Sequence, residues 1–198
     1  MILLRDFYRQ PVQTVARALL GKQLVRRFDD GKAVGIILEA EAYDGEQDLA
    51  CHARNGKTKR NAVMYGEAGH AYVYFTYGMH WMLNCVSGQD GYPAAVLIRA
   101  IYPLEGLEII RRNRKGIQKL HWCDGPAKLT KALSIDGTFN GIDLCASNSL
   151  LFIEEGIQIP DEHILETTRI GIHYAPEPWR SKPWRYLVDD VELLVEAI

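Results

Sequence analysis

Four cysteines (Cys51, Cys85, Cys123 and Cys145) are scattered through 198 residues, and no two form a C-x-x-C pair. That is too few for a disulfide scaffold and offers no local zinc signature, so reduced, packed thiols are expected. Long apolar runs are also missing. Stretches such as Ala94–Ile98 fall far short of the ~20 residues needed to span a bilayer. The opening Met1-Ile2-Leu3-Leu4 is broken at once by Arg5-Asp6, which is not the form of a secretory signal, and cytoplasmic residence is expected. No G-x-x-x-x-G-K-[ST] phosphate loop is present, nor a G-x-G-x-x-G after a strand, and G-x-S-x-G and H-E-x-x-H are absent too. Among six histidines no pair lies at helical metal-ligand spacing. What survives is chemistry without cofactor or metal, of a kind that a carboxylate performs.

A basic excess is lacking as well. Lys and Arg number 23 against 25 Asp and Glu, for a formal charge of −2 and a pI near 6.3. On average that disfavours a polyanionic partner, but the charges are segregated. Glu39 to Asp48 holds five acids and no base; Arg54 to Arg60 holds four bases (Arg54, Lys57, Lys59, Arg60) and no acid. From Arg111 to Lys131 seven bases face the single acid Asp124. Each basic run alone reads as solvated surface; together they allow a basic face on a chain that is neutral overall.

What is there is an ordinary globular composition, 47% hydrophobic and 24% charged, without repeats or linkers. The pattern predicts one domain over residues 1–198. Pro11 opens a helix with Val12, Val15, Ala16, Leu19 and Leu20 on one side and Gly21 as its stop. Leu24–Phe28 and Ala33–Tyr43 flank Asp29-Asp30-Gly31 as a hairpin. Ala71–Tyr77 and His80–Ser87 flank Gly78-Met79 as a second. Ala94–Tyr102 reads as a buried strand ended by Pro103, followed by a helix over Leu104–Asn113 and another from Pro126. Further strands are expected at Leu150–Glu154, Arg169–His173 and Arg185–Val188. Sequential strands joined by tight turns favour an α+β fold, an antiparallel sheet with helices packed outside it.

Alternation over Ala33–Tyr43 puts Ile36, Leu38, Ala40 and Ala42 on a core face and Ile37, Glu39, Glu41 and Tyr43 on the other. Two carboxylates and a tyrosine then lie either on a solvated strand face or at the mouth of a cleft. The second hairpin is richer: Tyr72-Val73-Tyr74-Phe75-Thr76-Tyr77-Gly78-Met79-His80-Trp81 packs five aromatics and a histidine into ten residues. Core packing accounts for Tyr72 and Tyr74 on one face. It accounts poorly for Tyr77 at the turn, where an exposed ring implies something that stacks on it or accepts it as a wedge. His52, taken alone, reads as structural or surface. Asn84 and Arg99 interrupt apolar strands, and need partners if buried.

The residues Leu38-Glu39-Ala40-Glu41-Ala42-Tyr43, His52-Ala53, Arg60-Asn61, Met64, Tyr72-Val73-Tyr74, Tyr77-Gly78-Met79, Asn84, Leu97-Ile98-Arg99-Ala100 and Gly125-Pro126-Ala127-Lys128-Leu129 resemble, in order and spacing, the alkyladenine (3-methyladenine) DNA glycosylase family. The resemblance runs from the Val12–Gly21 helix to Arg169-Ile170-Gly171. It implies a curved sheet with a protruding aromatic hairpin, and a monomer acting on double-stranded DNA that carries damaged purines. Such an enzyme extrudes the nucleotide from the stack. Tyr77 would fill the gap from the minor groove, and Tyr43, His52 and Tyr74 would enclose the extruded base. Asn84 would crowd the purine 2-position, and Glu41 would activate a water for attack at C1′ with Arg99 beside it. Arg54, Lys57, Lys59, Arg60 and Met64 would lie along the DNA backbone. No catalytic lysine is implied, hence no strand cleavage, and no cofactor or metal. The substrates implied are 3-methyladenine, 7-methylguanine, hypoxanthine and ethenoadenine. The setting implied is a bacterial nucleoid, away from membranes. A damage-binding module without catalysis would not need Glu41; a nucleoside or RNA N-glycosidase would not need a wedge at Tyr77.

Overall fold

The computed structural model describes residues 1–189. Eight strands make one sheet: β1 (Gln23–Phe28), β2 (Gly31–Asp44), β3 (Ala71–Thr76), β4 (His80–Ser87), β5 (Ala94–Glu105), β6 (Leu151–Glu154), β7 (Ile164–Thr167) and β8 (Arg185–Val188). Their order is β3-β4-β5-β2-β1-β6, all neighbours antiparallel. The helices are short: α1 (Arg5–Tyr8), α2 (Val12–Ala18), α3 (Leu107–Asn113) and α4 (Pro126–Ala132). The expected α+β class is what folds.

β2 organises the sheet. β5 pairs along almost its whole length on one edge. On the other edge β1 pairs its first half, from Gly31 to Ile36, and β8 takes over at Glu39–Glu41. Against the buried side pack Val12, Val15 and Ala16 of α2 and Leu129 and Ala132 of α4. α2 stops before Gly21, which turns the chain at a φ of +82° with its Cα hydrogens against the Ile157 carbonyl, a conformation that favours glycine.

Three expectations need correction. The simple alternation along β2 fails at Ile37, which is buried with Ala40 and Ala42 in the main core. Ile37 pairs with Ile101, Glu39 with Ala100 and Ala40 with Ile98, so Leu38 bulges from β2 and Arg99 from β5. Two compensating bulges rotate side chains that strict period two would have placed elsewhere. Next, Pro103 does not end β5, which continues to Glu105. Beyond Leu97 β5 has no β4 partner, and the Ile101 N–H already points outward to the Cys123 carbonyl; a proline two residues on forfeits no ladder bond. α3 therefore begins at Leu107 rather than Leu104. Finally, Arg169–His173 is no strand. The strand lies just before it, as β7, and the segment is a loop folded onto the end of β2.

Candidate active site

Where β2, β3, β4 and β5 converge with that loop lies a cavity of about 490 Å³. β2 and β5 contribute Tyr43 and Arg99; the β3–β4 hairpin contributes Tyr72, Tyr74, Tyr77 and Asn84. The connection after β2 brings His52, Arg54, Arg60 and Met64, and the C-terminal loop brings Ile170, Gly171, Ile172 and Tyr174. A small second core of Cys51, Ala53, Met64, Tyr72, Val86 and Ala95 backs the cavity.

His52 and Tyr74 meet edge to face, centroids 4.5 Å apart and planes at 73°, and Tyr72 and Tyr74 lie 5.3 Å apart. His52 Nδ1 is 2.9 Å from the Tyr72 hydroxyl. Burial, with the Arg60 and Arg54 guanidinium groups adding to it, lowers the His52 pKa to about 4, so the ring is neutral at physiological pH. Asn84 is buried, and its Nδ2 donates to the Tyr72 carbonyl at 2.9 Å. Arg60 sits with its guanidinium 5.1 Å from the Tyr74 ring centroid and donates to the Phe75 carbonyl at 3.1 Å.

At the lip the chain reverses through Tyr77 and Gly78, both left-handed (φ +52° and +68°), with the Met79 N–H on the Thr76 carbonyl at 3.2 Å. Tyr77 is 79% exposed. An exposed aromatic in a conformation that disfavours side chains gains nothing from the fold at that point.

Glu41 is fully buried. Its Oε1 accepts from the Ile170 N–H at 2.7 Å, and its Oε2 accepts from the Tyr43 hydroxyl at 2.8 Å with Arg99 Nη1 at 3.4 Å. It does not itself line the cavity; Tyr43, Arg99 and Ile170, which do, stand between. Desolvation raises its pKa above the ordinary carboxylate value, against the opposing pull of Arg99, the Ile170 N–H and Tyr43. The carboxylate is thus kept from bulk water and fixed by a hydrogen bond at each oxygen.

The sequence model of the methylpurine-DNA glycosylase family matches residues 6–192. The chain is 50% identical over 186 residues to a protein of Methanocella arvoryzae, covering 93% of this chain and 91% of that one. It is 48% identical over 181 residues to one of Carboxydothermus hydrogenoformans (91% and 94% covered) and 43% identical over 187 residues to one of Borreliella burgdorferi (94% and 95%). All three relatives bear the provisional name 3-methyladenine DNA glycosylase. The chain belongs to the methylpurine-DNA glycosylase family.

The glycosylase therefore brings Tyr43, His52, Tyr74, Asn84, Arg99, Arg54, Arg60, Met64 and Tyr77 to one cavity, with Glu41 immediately behind its wall. Lys57 and Lys59 are exposed on the same connection but do not line it. Met64 is 1% exposed and belongs to the small core that backs the slot. Among the described residues no helix is long and apolar enough to cross a membrane.

Sequence reasoning missed the groups that hold this site in place. Arg169 and Asp48 are both fully buried at their side chains and pair twice, Nη1 to Oδ2 at 2.5 Å and Nη2 to Oδ1 at 2.9 Å. Arg169 also donates to the Ala42 and Trp179 carbonyls, and its guanidinium lies 4.7 Å from the Tyr43 ring centroid and 5.1 Å from that of Trp184. This clamps the loop that delivers the Ile170 N–H to Glu41. Tyr174 on the same loop donates to the Ala50 carbonyl at 2.9 Å and carries Arg54 4.8 Å from its ring centroid. The run of five acids contained Asp48, but nothing in its spacing separates a clamp from a solvated acid.

Asp48→Ala is expected to destabilise the enzyme by about 3–5 kcal/mol, because it strands a buried guanidinium. A thermal scan should show the loss; a Tm within a degree or two of wild type would mean that the pair does not hold the loop. His52 is expected to stay neutral as pH falls from 8 to 5 and to titrate near 4. An NMR titration with its midpoint near the ordinary value of about 6.5 would show a solvated ring instead.

Proposed function

We propose that this glycosylase is monofunctional: it binds double-stranded DNA from the minor groove, extrudes an alkylated or deaminated purine, and hydrolyses the N-glycosidic bond with a water activated by Glu41, leaving an abasic site. The observation that carries the reading is the buried, doubly hydrogen-bonded Glu41 behind an aromatic slot whose lip holds the strained, exposed Tyr77.

Extrusion costs a few kcal/mol in lost stacking and pairing, less for a damaged base. Tyr77 is placed to enter the gap and offset that loss, and its side chain has no core packing to surrender. The extruded base meets Tyr43, His52 and Tyr74, rings on which an electron-poor alkylated purine stacks well. The neutral His52 adds no positive charge of its own to the slot. Asn84, fixed by the Tyr72 carbonyl, stands where the 2-position of a purine would lie, which disfavours guanine. Water must approach Glu41 between Arg99 and Ile170. There it loses a proton to the carboxylate as the C1′–N bond breaks, and the carboxylate charge favours the oxocarbenium-like sugar. Arg99, which lines the cavity, would lie beside that water and the target phosphate. Among the described residues no lysine lines the cavity, which supports hydrolysis without a Schiff base. Arg54, Lys57, Lys59 and Arg60 are left for phosphates. The reaction needs one copy of the chain and the chromosomal DNA of its cell.

Glu41→Gln is expected to bind a lesion-bearing duplex with near wild-type affinity while losing about 10²–10⁴-fold in single-turnover excision. Retained excision would remove Glu41 from the mechanism. Because only the ionised carboxylate accepts a proton and its pKa is raised, the wild-type rate should fall as pH drops, with a midpoint above the ordinary glutamate value of about 4.3. Tyr77→Ser is expected to change stability by no more than about 0.5 kcal/mol, as surface substitutions do. Excision from duplex should drop steeply and excision from single strands far less; equal loss on both substrates, or a melted protein, would make Tyr77 a packing residue.

A further inference from the structure

We propose that Glu39, which the reading above leaves without a role, is a positioning residue that holds the Arg99 guanidinium partly off Glu41 and thereby keeps the base basic. The inference rests on Glu41 being that base. Glu39 lies two residues from Glu41, with its side chain 16% exposed. One oxygen, Oε1, accepts from Arg99 Nε at 2.8 Å and from Arg185 Nη1 at 2.9 Å. Arg185, on β8, is itself fixed by its Nε donating to Thr167 Oγ1 at 2.8 Å.

The geometry divides Arg99 between two acids. Its Nε edge belongs to Glu39 at hydrogen-bond distance, and only Nη1 approaches Glu41, at 3.4 Å. A guanidinium is a planar fork that pairs best with a carboxylate through two parallel bonds. Released from Glu39, Arg99 would be free to close on Glu41 in that way, occupying the oxygen that has to take a proton. The backbone commits to this arrangement: Leu38 and Arg99 are the bulged residues of β2 and β5, and they flank Glu39 in the ladder. The register on either side, Ile37 with Ile101 and Ala40 with Ile98, sets Glu39 and Arg99 at the same level of the ladder, and the two bulges change how their side chains are aimed. The charged and titrating groups around Glu41 are Tyr43 and Glu39 from β2, Tyr74 from β3, Arg99 from β5 and Arg169, already matched by Asp48, from the C-terminal loop. Arg185 reaches the group through Glu39 from β8. Glu39 raises the pKa of Glu41 and Arg99 lowers it, whereas Arg185 acts by competing with Arg99 for the same Glu39 oxygen, so its removal and that of the Glu39 charge act with opposite signs.

The test is the pH dependence of single-turnover excision on a hypoxanthine duplex, beside affinity for the same duplex by fluorescence anisotropy. Glu39→Gln keeps an acceptor but removes the charge. Its acid limb is expected to move down by about one pH unit, with the plateau rate reduced at least tenfold and affinity unchanged. Arg185→Gln removes the competing cation, and its limb is expected to move up; Arg185→Lys should return it towards wild type. Limbs that stay in place while only Tm falls would overturn the proposal and leave Glu39 a structural counter-ion. Should Glu39→Gln fail to fold, the direction of the Arg185→Gln shift decides alone, an unmoved or lowered limb overturning the proposal. An active Glu41→Gln enzyme would instead take down the underlying reading, so the two failures are told apart.

Discussion

The site depends on the buried pair of Asp48 and Arg169. Two charges removed from water cost several kcal/mol each, and the attraction between them repays that only with good geometry and further hydrogen bonds. Four of the guanidinium's hydrogen bonds are made here, two to the Asp48 carboxylate and two to backbone carbonyls, with the Tyr43 and Trp184 rings near by and only Nε left without a partner. The pair joins points 121 residues apart and holds a loop of no regular structure over the end of β2. From this follow the Ile170 N–H on Glu41, the exclusion of bulk water from its carboxylate, and one wall of the cavity. The Arg169 guanidinium also lies against the Tyr43 ring, so Tyr43 and Glu41 share one support.

The second constraint is in the sheet. A strand with strict alternation would have exposed Ile37 alongside the acids. The bulges at Leu38 and Arg99 return Ile37 to the core, and beside them Glu39, Glu41, Arg99 and Arg185 form one network of two acids and two bases. Bulges commonly re-aim side chains beside active sites. Stability and chemistry are in tension at this point, because a desolvated carboxylate with a raised pKa is charged at a cost to the fold. That cost is offset by the rigid surroundings in β2, β5 and the clamped loop. Tyr77 follows the same logic: a left-handed, exposed aromatic is tolerated because the paired strands of the hairpin fix the turn.

Much of this was legible in the chain. Short-range patterns gave β1–β2 and β3–β4, whose turns carry their own signals in Asp-Asp-Gly and Tyr-Gly-Met, and placed α4 at Pro126 with its apolar face inward. The exposed Tyr77 was foreseeable because a ring at a reversal has no core to enter. Family resemblance assembled Tyr43, His52, Tyr74, Asn84 and Arg99 in advance, and the cavity brings them together. Pro103 and Arg169–His173 misled for one reason: whether an edge is paired or free is not a local property. Pro103 sits harmlessly within β5 because the edge it faces carries no strand, and Arg169 leaves the strand pattern because its guanidinium has a buried acid to meet.

What the sequence determined by itself was an inventory: two carboxylates and a tyrosine on one strand, a hairpin rich in aromatics with a tyrosine at its turn, and no metal or nucleotide motif. Such features are set by residue type and by spacing within a few positions, where backbone geometry leaves little choice. The tertiary structure alone decided which carboxylate would be buried and which would hold an arginine. Glu39 and Glu41 are the same residue type on the same strand, two positions apart, and only their distant partners distinguish them. Glu41 meets the Ile170 N–H and Tyr43, whereas Glu39 meets Arg99 and Arg185. Desolvation and hydrogen bonding set the basicity of a carboxyl group, and apart from the Tyr43 hydroxyl both are supplied by parts of the chain far from Glu41 in sequence.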